Sequence, residues 1–204
     1  MPSRADENLD QTFEHLFQVI SSPSFLERRG LGGELPFFIS AHHPSLQPRL
    51  DQLVPSLATR LSNVGISVLL LSLYDLTVEL FQRRNRWEKH LASEQNTTKE
   101  KFLKAMQNVT DAENNLAPLI ADKLTSSGYK VLLLTGVGLV YPYLRSHTVL
   151  DNLQKVTKQT PTVMFFPGDY SFVDGKGSYL KLFGTLPDDR YYRAFNIADF
   201  RPQT

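Results

Sequence analysis

The chain has 204 residues, of which 41% are hydrophobic and 21% are charged, and its formal net charge is +1. This composition is typical of a folded globular protein, and the near-neutral charge excludes a global attraction for nucleic acid or anionic lipid, so any such binding must be local. Cysteine is absent, which excludes disulfides, thiolate chemistry and Cys-ligated zinc sites and favours a cytoplasmic protein.

The N-terminal half alternates helical and strand patterns. Apolar residues recur with a helical period at Leu9, Phe13, Leu16, Phe17 and Ile20, which predicts an amphipathic helix ending near Ser21 and no signal peptide. Residues 35–40, after Gly32-Gly33, predict a first strand. A helical stripe follows over 46–64, and Pro55 inside it should bend or break the helix. The continuous apolar run 66–73 is typical of a strand buried on both faces.

The C-terminal half continues the alternation. Residues 74–91 predict one helix with a basic outer face, 93–98 a polar loop, and 102–106 and 116–124 two further helical segments. Strands are predicted at 130–134 and 162–166, separated by a helix containing Val149 and Val156. Residues 179–183 and 191–197 predict two more strands. No apolar run is long enough for a membrane span, so we expect no membrane association.

This order predicts an α/β protein. Strands that alternate with helices favour a mainly parallel β-sheet flanked by helices in three layers, Rossmann-like or P-loop-like without a Walker A loop, with a C-terminal edge strand pair. No Pro-, Gly- or Ser-rich linker divides the chain, so we expect residues 1–204 to form a single domain.

In a parallel sheet, the segments that follow the strands converge on one edge. This edge should bring together His42, His43, Asp75 and residues 135–138 and 167–169. It is also the edge at which α/β proteins place their sites. Gly136 and Gly138 allow the backbone to turn or to approach another group closely, and Arg145 and His147 could reach the same edge from the start of their helix. The alternative is that these are the ordinary turn residues of βα loops.

No familiar reaction motif is complete, and no catalytic residue, metal or cofactor is predicted. The sequence 135–138 lacks the third glycine of the dinucleotide fingerprint, and the spacing from Gly168 to Gly175 does not fit a Walker A loop. His42-His43 has no accompanying ligand set, so a hydrogen-bonded or exposed histidine pair is the better interpretation. No Gly-x-Ser-x-Gly elbow occurs. Asp188-Asp189 fits a solvated turn.

Two further clusters could form binding surfaces. The basic cluster Arg83, Arg84, Arg86 and Lys89 surrounds Trp87 and could contact phosphates, although it could equally be the solvated face of a helix. In a strand, Tyr191, Arg193 and Phe195 would share one face, and aromatic residues with arginine are favoured at protein interfaces; a core strand is the alternative. The candidate partner- or ligand-binding residues are Gly136, Gly138, Tyr141, Arg145, His147, Tyr191, Arg193 and Phe195.

Several segments taken together resemble the BrxB family of bacterial BREX phage-defence systems. The specific ones are residues 135–138 with Tyr141-Pro142, residues 144–147, residues 165–168 and residues 192–195. The resemblance covers about residues 13–197. It implies a small cytoplasmic component of a system that methylates host DNA and blocks phage replication, with no catalytic activity assigned to the family.

The resemblance also implies the partners. Recognisable enzyme domains belong to the methyltransferase PglX, the alkaline-phosphatase-like PglZ and the ATPase BrxC, so a BrxB protein is expected to be an adaptor, with PglZ as the first candidate partner and PglX and BrxC as the others. The alternative is a nucleotide- or nucleic-acid-binding regulatory subunit that uses Gly136, Gly138 and Arg145, or the basic cluster.

Overall fold

The computed structural model describes residues 4–27, 36–85, 87–157, 159–187, 191 and 193–202. The helices within them are α1 (Arg4–Ser21), α2 (Pro23–Leu26), α3 (Gln47–Asn63), α4 (Leu73–Arg83), α5 (Trp87–Glu94), α6 (Lys99–Val109), α7 (Ala117–Thr125) and α8 (Ser146–Val156). The strands are β1 (Phe37–His42), β2 (Val68–Ser72), β3 (Val131–Thr135), β4 (Thr162–Val173), β5 (Gly177–Leu182), β6 (Leu186–Pro187) and β7 (Phe195–Asn196).

The strands form a seven-stranded sheet whose main part is parallel. Its order is β2-β3-β4-β1-β7, with β5 attached to β4 and β6 attached to β5. β1 pairs with β4 in parallel from Phe37 opposite Thr162 to His42 opposite Pro167. Parallel strands need crossover connections: α3 joins β1 to β2, the segment α4 to α7 joins β2 to β3, and α8 joins β3 to β4. The predicted mainly parallel α/β sheet is therefore confirmed.

Each face of the parallel sheet is covered by helices. On β3, Leu132 and Leu134 point into one core with α4, α7 and α8, whereas Val131 and Leu133 point into a second core with α1 and α3. Successive strand residues face opposite sides, so a continuous apolar run is what a strand between two helical layers requires. The three-layer arrangement follows directly from that pattern.

Strand β4 extends well past the predicted strand 162–166. It is 12 residues long, and its second half, Gly168 to Val173, leaves the parallel sheet and pairs with β5 in antiparallel fashion. β5 in turn pairs with β6. We call residues 168–187 the antiparallel arm. The Pro-Gly pair at 167–168 is thus not a turn, because Gly168 carries the strand from one sheet geometry into the other.

The single helix predicted over 74–91 is wrong, because the chain turns between α4 and α5. Asn85 has a φ of 51°, a left-handed conformation that ends a helix. The turn lets α5 pack back on α4, with the rings of Trp87 and His90 lying 6.2 and 4.3 Å from the ring of Phe81. The basic residues consequently do not share one helical face.

Two other expectations need correction. The break predicted at Pro55 is wrong, because α3 is one helix from Gln47 to Asn63. Pro55 is exposed, so the carbonyl of Asp51 that loses its partner can be hydrated. The last predicted strand is much shorter than 191–197, because only Phe195 and Asn196 pair, in parallel, with β1. Leu35, Gly32-Gly33, Asp188-Asp189, Arg86 and Tyr192 lie outside the described residues.

Candidate interaction surface

The carboxyl ends of β2 and β3 lie side by side next to α3. Ser72 at the end of β2 lies opposite Thr135 at the end of β3, and with Asp51 of α3 they line a cavity of about 190 Å³. The hydroxyl of Thr135 donates to the carbonyl of Leu71 (3.3 Å), and the Ser72 hydroxyl accepts from the backbone N–H of Asp75 (3.3 Å). Both hydroxyls are therefore already engaged within the chain.

The glycines at the end of β3 serve close packing within the chain. Gly136 has a φ of +77°, and a Cβ there would lie 3.0 Å from Ser72 Oγ and 3.2 Å from the backbone nitrogen of Leu73. A Cβ on Gly138 would lie 2.9 Å from the ring of Phe183. The loop thus covers the start of α4 on one side and receives the antiparallel arm on the other.

Tyr141 and Arg145 come together beside the arm. They line a notch of about 80 Å³ with Leu182, Leu186 and Pro187. Arg145 is exposed and immediately precedes α8, and none of the ion pairs between described residues involves it. His147 lies partly buried in the first turn of α8.

Of the C-terminal candidates, Tyr191 packs on the arm, whereas Arg193 and Phe195 contact the body of the protein. The side chain of Tyr191 is 45% exposed, with its ring 5.9 Å from that of Tyr179 on β5 and the Lys176 ammonium 5.6 Å from its centroid. Arg193 is exposed, while its carbonyl accepts a hydrogen bond from Gln154 of α8 (3.2 Å). Phe195 instead packs inward, its ring 6.0 Å from that of Phe38.

The arm itself carries residues that sequence reasoning missed. Its inner face is held to the body because the hydroxyls of Tyr170 and Ser178 both bond to the carbonyl of Ala194, that of Tyr170 at 2.9 Å. Phe172 pairs with Ser178 across the strands and so belongs to the same face, yet it is 60% exposed. The alternation of Tyr170 and Phe172 was the available signal, but Pro167-Gly168 predicted a turn before it.

We define the arm surface by four exposed apolar side chains and two arginines. Leu139 and Phe172 are 63% and 60% exposed, and Tyr191 and Phe183 are 45% and 37% exposed. Leu139 adjoins Gly138, which contacts Phe183, and Tyr191 contacts β5. Arg145 and Arg193 complete the surface.

The described residues of the basic cluster have two different environments: Arg83 forms an ion pair, whereas Arg84 and Lys89 line an open cavity. Arg83 pairs with Glu79 at 2.8 Å, and Lys123 pairs with the same carboxylate at 2.8 Å. Partial burial would raise the pKa of Glu79, but these two cations outweigh burial and hold it below its ordinary value. Arg84 and Lys89 line a cavity between α4, α5 and α6.

The two adjacent histidines are hydrogen-bonded separately. His42 Nε2 lies 3.0 Å from Gln47 Oε1, and His43 Nδ1 lies 2.7 Å from the Ser45 hydroxyl. Burial lowers the pKa of His42, against the opposing effect of its bond to Gln47. The described part of the chain contains no group of three His, Asp or Glu residues that could hold a metal ion. None of its helices is long and apolar enough to cross a membrane.

Comparison with known proteins identifies the family. A family model described as "BREX protein BrxB" matches residues 69–197. A "BREX protein BrxB" from Bacillus cereus (strain H3081.97) is 32% identical, over 96% of this chain and 98% of the relative, and one from Escherichia coli O9:H4 (strain HS) is 24% identical, over 94% and 92%. No solved structure matches. The chain therefore belongs to the BrxB family of BREX phage-defence systems.

Proposed function

We propose that this protein is a non-catalytic adaptor subunit that binds another component of its BREX system in the cytoplasm through the arm surface. Its partner in this proposal is the alkaline-phosphatase-like PglZ, and the complex acts in phage restriction and host DNA methylation. PglX and BrxC are the other candidate partners.

The exposure of large apolar side chains on the arm surface carries this proposal. Phe172 stands on the face of the arm that packs against the body but projects beyond it, so 60% of its surface meets water. A fully exposed phenylalanine gains roughly 1.5–3 kcal/mol when it is buried. Large exposed apolar side chains of this kind are the groups that an interaction site buries.

The two arginines give the surface its specificity. Neither Arg145 nor Arg193 takes part in an ion pair with a described residue, so both guanidinium groups can bind carboxylates of a partner. Arginine and aromatic residues are the types that dominate the energetics of protein interfaces. We therefore expect a partner surface with an apolar recess for Phe172 and acidic groups at its rim.

Family membership narrows the choice of partner to other BREX proteins. PglZ is preferred because the family resemblance of the sequence implies an adaptor working beside the recognisable enzymes of the system. An adaptor acts by positioning its partner proteins. The arm surface could bind such a partner, and this role requires no reactive group.

The experiment is size-exclusion chromatography with light scattering on this protein mixed with PglZ of the same system, beside each protein alone. We expect a stable complex whose affinity falls at least tenfold in Arg145→Glu, in Arg193→Glu and in Phe172→Ser, because each change removes an anchor or reverses a charge at the interface.

Lys130→Glu is the matched control. Lys130 is exposed and precedes β3, at the opposite edge of the sheet from the arm surface, so its charge reversal should leave the complex unchanged. Complex formation that is indifferent to all three arm variants would place the interface elsewhere. Separate elution from PglZ, PglX and BrxC, combined with salt-sensitive DNA binding, would favour the nucleic-acid-binding regulator instead.

A further inference from the structure

A concave basic site lies in the helical connection between β2 and β3. The end of α4, α5 and the second half of α6 line an open cavity of about 360 Å³, a volume within the range of small-molecule sites, about 300–1,000 Å³. We call it the basic pocket. None of the residues of the arm surface lines it, so the inference drawn from it is independent of the adaptor role.

Two cations at the pocket are available for a ligand. Arg84 and Lys89 both line it and are exposed, and neither takes part in the ion pairs seen between described residues. The Arg84 guanidinium donates one hydrogen bond to the Asn115 carboxamide oxygen (2.6 Å). That bond fixes the planar group in position and leaves its other donors for a ligand.

One wall of the pocket is formed by packed rings. The ring of His90 lies between those of Phe81 and Phe102, with both centroid distances 4.3 Å, and only 8% of the residue is exposed. Burial lowers the pKa of His90, so its ring stays neutral near pH 7. The site therefore presents two positive charges, those of Arg84 and Lys89.

Neutral polar groups complete the site. Ser93 lines the pocket and directs its hydroxyl hydrogen to the carbonyl of His90 (2.8 Å), which orients the side chain. Asn108 also lines it and bonds to Asn115 through its backbone carbonyl (3.3 Å), which leaves its side-chain amide for a ligand. Ala105 and Val109 of α6 supply an apolar side.

We propose that the basic pocket binds the phosphate group of a small phosphomonoester of nucleoside monophosphate size. Two cations that line one pocket match the charge of one phosphate dianion, and an arginine fork suits its oxygens. Duplex DNA fits poorly, because α5 also carries Glu88 and Glu94 and Arg83 is paired with Glu79, so the surrounding surface is not broadly basic.

The test is isothermal titration calorimetry of the full chain with inorganic phosphate and with AMP. We expect both to bind one site, AMP more tightly because its nucleoside also contacts the apolar side. Lys89→Gln and Arg84→Gln should each weaken binding about tenfold or more, the usual effect of losing one charge-assisted hydrogen bond. Lys89→Gln is the cleaner variant, because Arg84→Gln also removes the bond to Asn115.

The matched control is Lys104→Gln, which removes one exposed lysine of α6 outside the pocket and should leave the affinity unchanged. Absence of binding heat for both ligands at millimolar concentration would overturn the proposal, as would equal weakening by Lys104→Gln. Tight binding of a single-stranded oligonucleotide without a terminal phosphate, lost in the same two variants, would also overturn it and make the site a nucleic-acid contact.

Discussion

Gly168 is the residue at which β4 passes from parallel to antiparallel pairing. Its φ is +156°, and a Cβ at this position would collide with the carbonyl oxygen of Lys181 and lie 2.9 Å from the ring of Phe166. The obstacle is backbone of the paired strand β5, so a side chain cannot move aside to relieve it. Glycine is therefore required for the arm to join the sheet.

We expect Gly168→Ala to lower the free energy of unfolding by about 2–4 kcal/mol, because the arm must shift to make room. Gly128→Ala is the control: it also has a positive φ, of +60°, but a Cβ there would meet nothing within 4 Å, so it should cost only about 1–2 kcal/mol. Urea denaturation of both variants measures the difference. Equal losses would show that the contact with β5 is unimportant.

Two buried histidines make stability depend on pH. The pKa values of His42 and His90 are both lowered from the ordinary value of 6.5, chiefly by burial. As the pH falls below about 6.5, the unfolded chain binds protons at these positions before the folded one does. Stability should thus be full above that pH and decline as the pH falls towards the lower folded pKa values.

We expect His42→Gln to make this decline shallower, since one of the two groups no longer titrates. The measurement is the urea midpoint at several values between pH 7.5 and 5.5 for the variant, the wild type and His43→Gln. His43 is exposed, so its variant should follow the wild type. A decline that is identical in all three proteins would mean that His42 does not contribute.

At the scale of elements, α3 contains a proline in its interior that does not interrupt the apolar face of the helix. Pro55 lies inside the 17-residue helix on its exposed side, while Leu50, Val54, Leu57 and Leu61 face the core. Packing of that apolar face keeps the helix continuous, although proline lowers the intrinsic stability of a helix interior by about 3 kcal/mol relative to alanine.

Pro55→Ala should therefore raise the free energy of unfolding by about 1–3 kcal/mol, because the new N–H can bond to the Asp51 carbonyl. Ser56→Ala, at the neighbouring exposed position, should change it by only about 0.5 kcal/mol. Thermal unfolding monitored by circular dichroism compares the two. A loss of stability in Pro55→Ala would indicate that the proline fits a local distortion of α3.

Local patterns predicted the elements with regular periods and missed those that depend on distant contacts. The apolar stripe from Leu9 to Ile20 correctly predicts α1 and its end near Ser21, because apolar periodicity and turn residues are local signals. The break at Asn85 depends on α5 packing against Phe81. The extension of β4 depends on pairing with β5. The local signals for these two features, Asn85 for the break and the alternation of Tyr170 and Phe172 for the extension, are too weak to predict them without the distant contacts.

In the candidate site too, the residues that are close in sequence are predictable and those brought together by distant contacts are not. Tyr141 and Arg145 were predicted as binding residues and do lie together in one notch, because a short segment joins them. Phe172 was missed, since its exposure results from where the arm ends relative to the body. The closeness of Arg84 and Lys89 to Asn108 likewise depends on how three helices pack.

At the scale of the whole molecule, two hydrophobic cores share one sheet. Leu133 belongs to the core with α1 and α3, and its neighbour Leu134 to the core with α4 and α8. Both residues are fully buried, so Leu133→Ala and Leu134→Ala should each cost about 2–5 kcal/mol. Because β3 separates the two cores directly, loss of either core should destabilise the same sheet.

We therefore predict that residues 1–204 unfold as one domain in a single transition. Trp87 is the sole tryptophan and packs against Phe81 in the helical connection, so its fluorescence follows that region, whereas far-ultraviolet circular dichroism follows all helices. The two urea curves should coincide in the wild type and shift together in Leu133→Ala, a substitution on the opposite face of the sheet from Trp87. Two results would instead show that α4 to α6 form a separate folding unit: a fluorescence transition at lower urea than the dichroism transition, or a fluorescence transition that Leu133→Ala leaves unchanged while it shifts the dichroism transition. The stability of an independent unit would not depend on the core at Leu133.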